Sequence, residues 1–239
     1  MPPRELVIEA PELLARTFAE RFAAQADAAI AARGRFSCAL PGGSVAATFF
    51  PALAHAPVAW NKVEFFWGDE RAVGPDDPAS NYRLAKQALL DAVGADPRRV
   101  HRMIGERADL AAAAREYAEE MVRVLGEPPQ LDLIVLGVGP DGHVCSLFPG
   151  HPLLDERVHR VAAIHDSPKP PARRITLTVR AFEEAAEVCI AALGRTKAEV
   201  MRAALTDAAA HLPVAMALRL AQRAVVFLDP EAAGQLENH

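Results

Sequence analysis

The sequence predicts an α/β protein, with a mostly parallel central sheet flanked by helices. Three observations lead there. Short apolar runs rich in branched residues recur at 35–40, 62–67, 131–136, 187–193 and 224–228; they are too short for helices and apolar enough for strands buried on both faces of a parallel sheet. Ala- and Leu-rich segments with helical spacing lie between them. Several of the runs end in a glycine-containing turn, and in a doubly wound sheet the carboxyl ends of the strands are where ligands bind.

Residues 5–10 read as a short strand, and Pro11 opens a long helix whose stripe Leu14, Phe18, Phe22, Ala26 and Ile30 runs until Gly34 ends it. The strand at 35–40 enters Pro41-Gly42-Gly43-Ser44, and 45–54 is helical. Strand, glycine turn and helix start together present free backbone N–H groups that can hold a phosphate or carboxylate oxygen. The competing reading of Gly42-Gly43-Ser44 is a tight turn with a serine N-cap. The stretch lacks the Gly-Lys-Ser/Thr ending of a Walker loop and is no G-x-S-x-G elbow.

Residues 62–67 form an aromatic-rich strand ending in Gly68-Asp69-Glu70-Arg71. Consecutive charges at a strand end are commonly a solvated turn; their place at a carboxyl-end loop makes them site candidates. The turn-rich 74–81 precedes a helix through residue 90, then a short strand at 100–104 and a helix at 110–125 with a solvated charged face.

The strand at 131–136 runs into the stretch on which the other motifs converge, GVGPDGHVCSLFPGHP at 137–152. Gly137, Gly139 and Gly142 let the backbone turn sharply and approach a ligand, and Asp141 and His143 flank the last of them. A carboxylate beside an imidazole titrating near neutrality suits general-base chemistry. Beyond it come a strand at 158–165, an extended connection at 168–171, a strand at 173–178, a short helix at 182–186 and a buried strand at 187–193. That strand leads through Gly194-Arg195-Thr196 to Lys197, at the start of a helix reaching 205. The helix dipole disfavours a cation there unless an anion lies between them, and such a local conflict points to function. Residues 224–228 close the sheet.

No Gly/Ser-rich, Pro-rich or charged linker divides the chain, so one domain over 1–239 is expected. Hydrophobic residues at 51% and charged residues at 24% fit a globular protein with a sizeable core, and a net charge of -5 argues against a general nucleic-acid or membrane surface. Cys38, Cys145 and Cys189 show no CxxC spacing and lie in or beside apolar runs, which suggests reduced, mostly buried thiols. With no apolar span and no signal-peptide h-region at the N-terminus, a cytoplasmic location is expected.

Two further readings fail on context. Gly137 to Gly142 is a formal G-x-G-x-x-G after a strand, but Pro149, Gly150 and Pro152 interrupt the long helix a dinucleotide fold needs next. His143, His151, His159 and His165 match no familiar zinc spacing.

Taken together, PGGSV at 41–45, WGDERAV at 67–73 with Ser80-Asn81, GVGPDGHVCSLFPGH at 137–151, RRITLT at 173–178 and GRTKAEV at 194–200 resemble the 6-phosphogluconolactonase family, in order over most of the chain. Asp-Gly-His followed by Ser-Leu-Phe-Pro-Gly is the specific part; Cys145 stands where alanine is common. The resemblance implies a single Rossmann-like domain, shared with glucosamine-6-phosphate deaminase and ribose-5-phosphate isomerase. It implies hydrolysis of 6-phospho-D-glucono-1,5-lactone, the second step of the oxidative pentose phosphate pathway, without metal, nucleotide or other cofactor. His143 would be the general base and Asp141 its support, while Asp69 would orient sugar hydroxyls or the histidine. Arg71, Arg174 and Lys197, with the amides of Gly42, Gly43 and Ser44, would hold the phosphate. The expected partner is the small sugar-phosphate lactone alone, with no nucleic acid and no membrane, on a monomer or weak homodimer. The related deaminases carry an Asn-Glu-Pro segment after Asp-Gly-His, whereas Ser146-Leu147-Phe148-Pro149 here supplies no carboxylate. A sugar-phosphate-binding regulator would keep the cations but have no need of Asp-Gly-His.

Overall fold

The computed structural model describes residues 4–236. Its strands are β1 (Arg4–Ile8), β2 (Phe36–Leu40), β3 (Val63–Trp67), β4 (Asp69–Arg71), β5 (Leu133–Gly137), β6 (Val161–Ile164), β7 (Arg174–Leu177), β8 (Val188–Ala192) and β9 (Ala224–Leu228). Its helices are α1 (Pro11–Arg33), α2 (Gly43–Leu53), α3 (Asn81–Ala85), α4 (Leu110–Leu125), α5 (Val179–Glu184), α6 (Ala198–Thr206) and α7 (Pro213–Leu220). Six strands make one parallel sheet in the order β1-β9-β8-β5-β2-β3. Beside it β4, β7 and β6 pair antiparallel in a small sheet of their own.

The α/β class and the parallel central sheet are those the sequence predicts. Both faces of that sheet are covered, which is why its strands read as continuous apolar runs. In β5, Leu133 and Val135 face the core under α1 and α2, and Ile134 and Leu136 face the core under α4 to α7. The first core is aromatic: Phe18, Phe22, Phe49 and Phe50 pack on Phe36, Phe65 and Phe227. Truncating Phe22, 1% exposed, to alanine would cost about 3–5 kcal/mol. α1 has Pro11 in its first turn and ends where Gly34 takes φ 76°, its N–H donating to Ile30 O at 2.8 Å. No helix among the described residues is long and apolar enough to cross a membrane.

Several expectations are corrected. Residues 100–104 are no strand: Val100 makes one bridge to Phe65, and the side chain of His101 is drawn between Glu64 and Glu120. Residues 168–172 form bends rather than the extended connection expected at 168–171, because Arg174 and Ser167 gather the loop's carbonyls. The short helix expected at 182–186 is α5, displaced toward the N-terminus, and the helix into residue 90 widens to a π-turn at 86–90. β9, the last strand in the chain, completes the sheet from inside, between β1 and β8, so that β1 and β3 are its edges. α7, unread in the sequence, packs on α5 and α6 and donates Val214 N–H to Gly142 O at 3.0 Å.

Candidate active site

The chain leaves β2 toward β3 on one side and continues from β5 on the other, so strand order reverses between β2 and β5. Loops leaving such neighbours part, and a crevice opens at their carboxyl ends. The turn after β2 and the 138–147 loop after β5 border it, with the turns after β3 and β8 beside them. The result is an open cavity of about 230 Å³, lined by Gly42, Gly43, Ser44, Asp69, Arg71, His143, Arg174 and Lys197 among others. Of the expected site residues only Asp141 is not on its wall; it stands behind His143.

The Asp-Gly-His loop is held by its own backbone. Gly139 N–H donates to His143 O at 2.8 Å, Gly142 N–H donates to Gly139 O at 2.9 Å, and Gly142 takes φ 81°. Gly139 is required for a different reason: a β-carbon there would lie 1.9 Å from His143 Nδ1 and 2.6 Å from Asp141 Oδ1, in the space those side chains fill. His143 Nδ1 lies 2.5 Å from Asp141 Oδ1, and the ring rests 4.8 Å from the ring of Phe148. An unprotonated Nδ1 would set its lone pair against the carboxylate, so the proton is on Nδ1 and Nε2 carries the free pair. Burial, the largest single influence, disfavours the imidazolium; Asp141 favours it and Lys169 opposes it, and on balance the His143 pKa falls below its ordinary value. Asp141 resists its own partial burial through the hydrogen bond and charge of His143 and through Lys169, which hold its pKa down at about 2.

The small sheet supplies the charged wall. In the β4–β7 register Asp69 faces Thr176 and Arg71 faces Arg174. Two arginines directly across a ladder repel, and an anion between them removes that conflict. Glu70 points to the opposite side, 3% exposed, where it accepts from Ser80 Oγ and from the amides of Arg71, Asn81 and Tyr82. It therefore holds the start of α3. Asp69 accepts from Ser146 Oγ at 2.6 Å and from Asn81 Nδ2 at 3.1 Å, and it makes no hydrogen bond to His143. Orientation of the histidine thus falls to Asp141. Arg174, 5% exposed, donates Nε to Pro171 O at 3.0 Å and Nη2 to the carbonyls of Lys169 and Pro170, leaving Nη1 near Ser146 Oγ and, at 3.9 Å, Asp69. Arg71 donates Nη1 to Ala79 O, and its buried Nε has no partner among the described residues.

Gly42 precedes α2 as N-cap with no side-chain cap, and Ser44 is inside the first turn, so the serine-cap reading is not what forms. The first amides of α2 are left for a ligand. A β-carbon on Gly42 would fall 1.9 Å from Asn81 Oδ1, which packs against it. Lys197 takes the N-cap position of α6, on the cavity wall; burial, then the charge of Lys169, lowers its pKa.

Lys169, Ser146 and Asn81 were not among the expected site residues. Lys169 Nζ is 3.2 Å from Asp141 Oδ1 and 3.2 Å from His143 Nδ1, a contact made across 28 and 26 residues of chain that no local pattern encodes. Cys38 and Cys189 are buried as expected, whereas Cys145, at φ 51°, lines the cavity. No grouping of His, Cys, Asp and Glu among the described residues could hold a metal ion.

Over residues 9–227 the chain matches the family described as glucosamine-6-phosphate isomerases/6-phosphogluconolactonase. It is 39% identical to a 6-phosphogluconolactonase of Streptomyces coelicolor, covering 98% of this chain and 95% of that one, and 37% identical to one of Mycobacterium tuberculosis, covering 94% and 95%. The structure of 6-phosphogluconolactonase from Trypanosoma brucei superposes with a TM-score of 0.87 at 27% identity, covering 99% of this chain and 100% of that one. A monomeric glucosamine-6-phosphate deaminase shares the fold at a TM-score of 0.79 and 22% identity.

Proposed function

The chain belongs to the family of glucosamine-6-phosphate isomerases and 6-phosphogluconolactonases, and from that membership we infer that it is a 6-phosphogluconolactonase, hydrolysing 6-phospho-D-glucono-1,5-lactone to 6-phospho-D-gluconate in the pentose phosphate pathway. Within the family the deaminase branch is disfavoured by the segment after His143: Ser146, Leu147 and Phe148 are buried and bring no carboxylate to open a sugar ring.

His143 acts as general base. The observation that carries this is the pairing of its Nδ1 with Asp141, on a cavity wall shared with Arg71 and Lys197, while Nε2 has no hydrogen-bond partner among the described residues. Nε2 takes a proton from water as the oxygen attacks C1 of the lactone. The tetrahedral intermediate then expels the ring oxygen, which receives that proton, and the carboxylic acid formed releases one proton to solvent. Asp141 fixes the tautomer and stabilises the transient imidazolium. With its pKa below the ordinary value, the imidazole is in its basic form at neutral pH.

Lys197, Arg71 and the first amides of α2 bind the 6-phosphate, and the Nη1 edge of Arg174, which makes only a long 3.4 Å hydrogen bond to Ser146 Oγ, completes the site. Asp69, with its carboxylate fixed by Ser146 and Asn81, accepts from sugar hydroxyls. One domain over 1–239, with the sugar-phosphate lactone as its only partner, fits this chemistry.

The test supplies freshly made lactone and follows acid release above the spontaneous rate. Acceleration that disappears in His143→Ala is expected; ammonia release from glucosamine 6-phosphate with no acceleration on the lactone would overturn the assignment.

A further inference from the structure

Lys169 lies outside every motif of the site, yet its ammonium meets the catalytic pair. The 167–172 turn that carries it is built for fixity. Arg174 Nε and Nη2 donate to the carbonyls of Pro171, Pro170 and Lys169, while Ser167 Oγ donates to Lys169 O at 2.8 Å and accepts from Lys169 N at 3.2 Å. A buried arginine thus spends most of its donors on presenting one lysine.

Since His143 Nδ1 carries the proton that goes to Asp141, the Lys169 ammonium donates to Asp141 Oδ1, and its 3.2 Å approach to Nδ1 sets a positive charge beside the ring. We propose that Lys169 is a positioning residue for the base: sharing Asp141 Oδ1 with His143, it fixes the carboxylate and opposes protonation of the imidazole, keeping Nε2 able to accept a proton at lower pH. This rests on the reading of His143 as the base.

The neighbouring charges divide in sign. Asp141 on the same loop and Asp69 on β4 favour the imidazolium, and Lys169 opposes it. Arg174 reaches the far side through the Phe148 ring, 5.7 Å from its centroid, and Lys197 at the start of α6 feels the charges of Lys169 and Asp141. Without Lys169 the nearest charge, Asp141, would act unopposed at hydrogen-bond distance.

The experiment compares wild type, Lys169→Met and Lys169→Arg by kcat against pH between about 5 and 8, with spontaneous hydrolysis subtracted. The substrate phosphate, with a second pKa near 6, titrates alike in all, so differences between them belong to the enzyme. Lys169→Met should move the acid limb upward by about one pH unit and lower the plateau as the carboxylate loosens, and Lys169→Arg should restore both. A ¹⁵N NMR titration of the His143 ring in the substrate-free protein should show the same displacement. An unmoved midpoint in folded Lys169→Met, or a loss of kcat at every pH that arginine does not rescue, would overturn the proposal. Lys169→Gln replaces the methionine variant should that fail to fold. The titration needs no turnover, so it stands apart from the lactonase reading, which fails if wild type does not accelerate lactone hydrolysis, and from the reading of His143 as the base, which fails if His143→Ala keeps its kcat.

Discussion

Gly139→Ala tests the site without removing any reacting group. Gly139 has no left-handed φ, so alanine meets no backbone strain there, and the whole perturbation is a methyl group placed 1.9 Å from His143 Nδ1. Ordinary contact needs about 3.5 Å, so the imidazole must retreat by roughly 1.5 Å. Phe148 lies against the ring and Asp141 grips it, and the methyl also meets Asp141 Oδ1 at 2.6 Å, so the pair parts rather than shifting together. A misplacement of about 1 Å costs about 10²-fold, and loss of a general base about 10²–10⁴-fold, so kcat should fall by about 10²–10³. The overpacking should lower stability by about 1–3 kcal/mol, leaving a folded enzyme. The assay is lactone turnover at saturating substrate, with circular dichroism and thermal melts to establish folding. The double variant with His143→Ala should be no slower than His143→Ala alone, because nothing remains to displace. A folded Gly139→Ala with kcat within about threefold of wild type would refute the assigned geometry.

His143→Ala should lower kcat by about 10²–10⁴-fold with substrate affinity nearly unchanged, read from steady-state kinetics. Lys197→Ala should chiefly raise KM for the phosphorylated lactone, by about 10-fold or more for a lost charge-assisted hydrogen bond, and leave hydrolysis of unphosphorylated gluconolactone unaffected; equal impairment on both would remove the phosphate role. Glu70→Ala leaves the buried donors of Ser80, Asn81 and Tyr82 unanswered, which should cost about 3 kcal/mol and lower Tm by about 6–12 °C; an unchanged melt would show that Glu70 does not hold α3. Dialysis against a chelator should leave turnover intact, since His151 is occupied by Asp166 and His159 by Glu156 rather than gathered with His143; zinc-dependent recovery would contradict this.

What the sequence determined by itself is what local chemistry encodes. Apolar runs marked the central strands, because a parallel sheet buries both faces. Pro11 and Gly34 marked the ends of α1 because φ is restricted at one and freed at the other. The glycine turns after β2, β5 and β8 and the charges after β3 marked the site, because ligands collect at strand ends. Asp141 and His143 are two residues apart, so their pairing was legible along the chain. Tertiary structure alone decided what distant segments do to one another. It placed β9 inside the sheet, gave Glu70 to α3 and Asp69 to Ser146, and occupied most of Arg174 with a loop that sequence read as a plain extended link. It also set Lys169 on the catalytic pair. A single polar contact between distant segments leaves no periodicity or spacing in the chain; it exists only once β5, β7 and the turns beside them have packed.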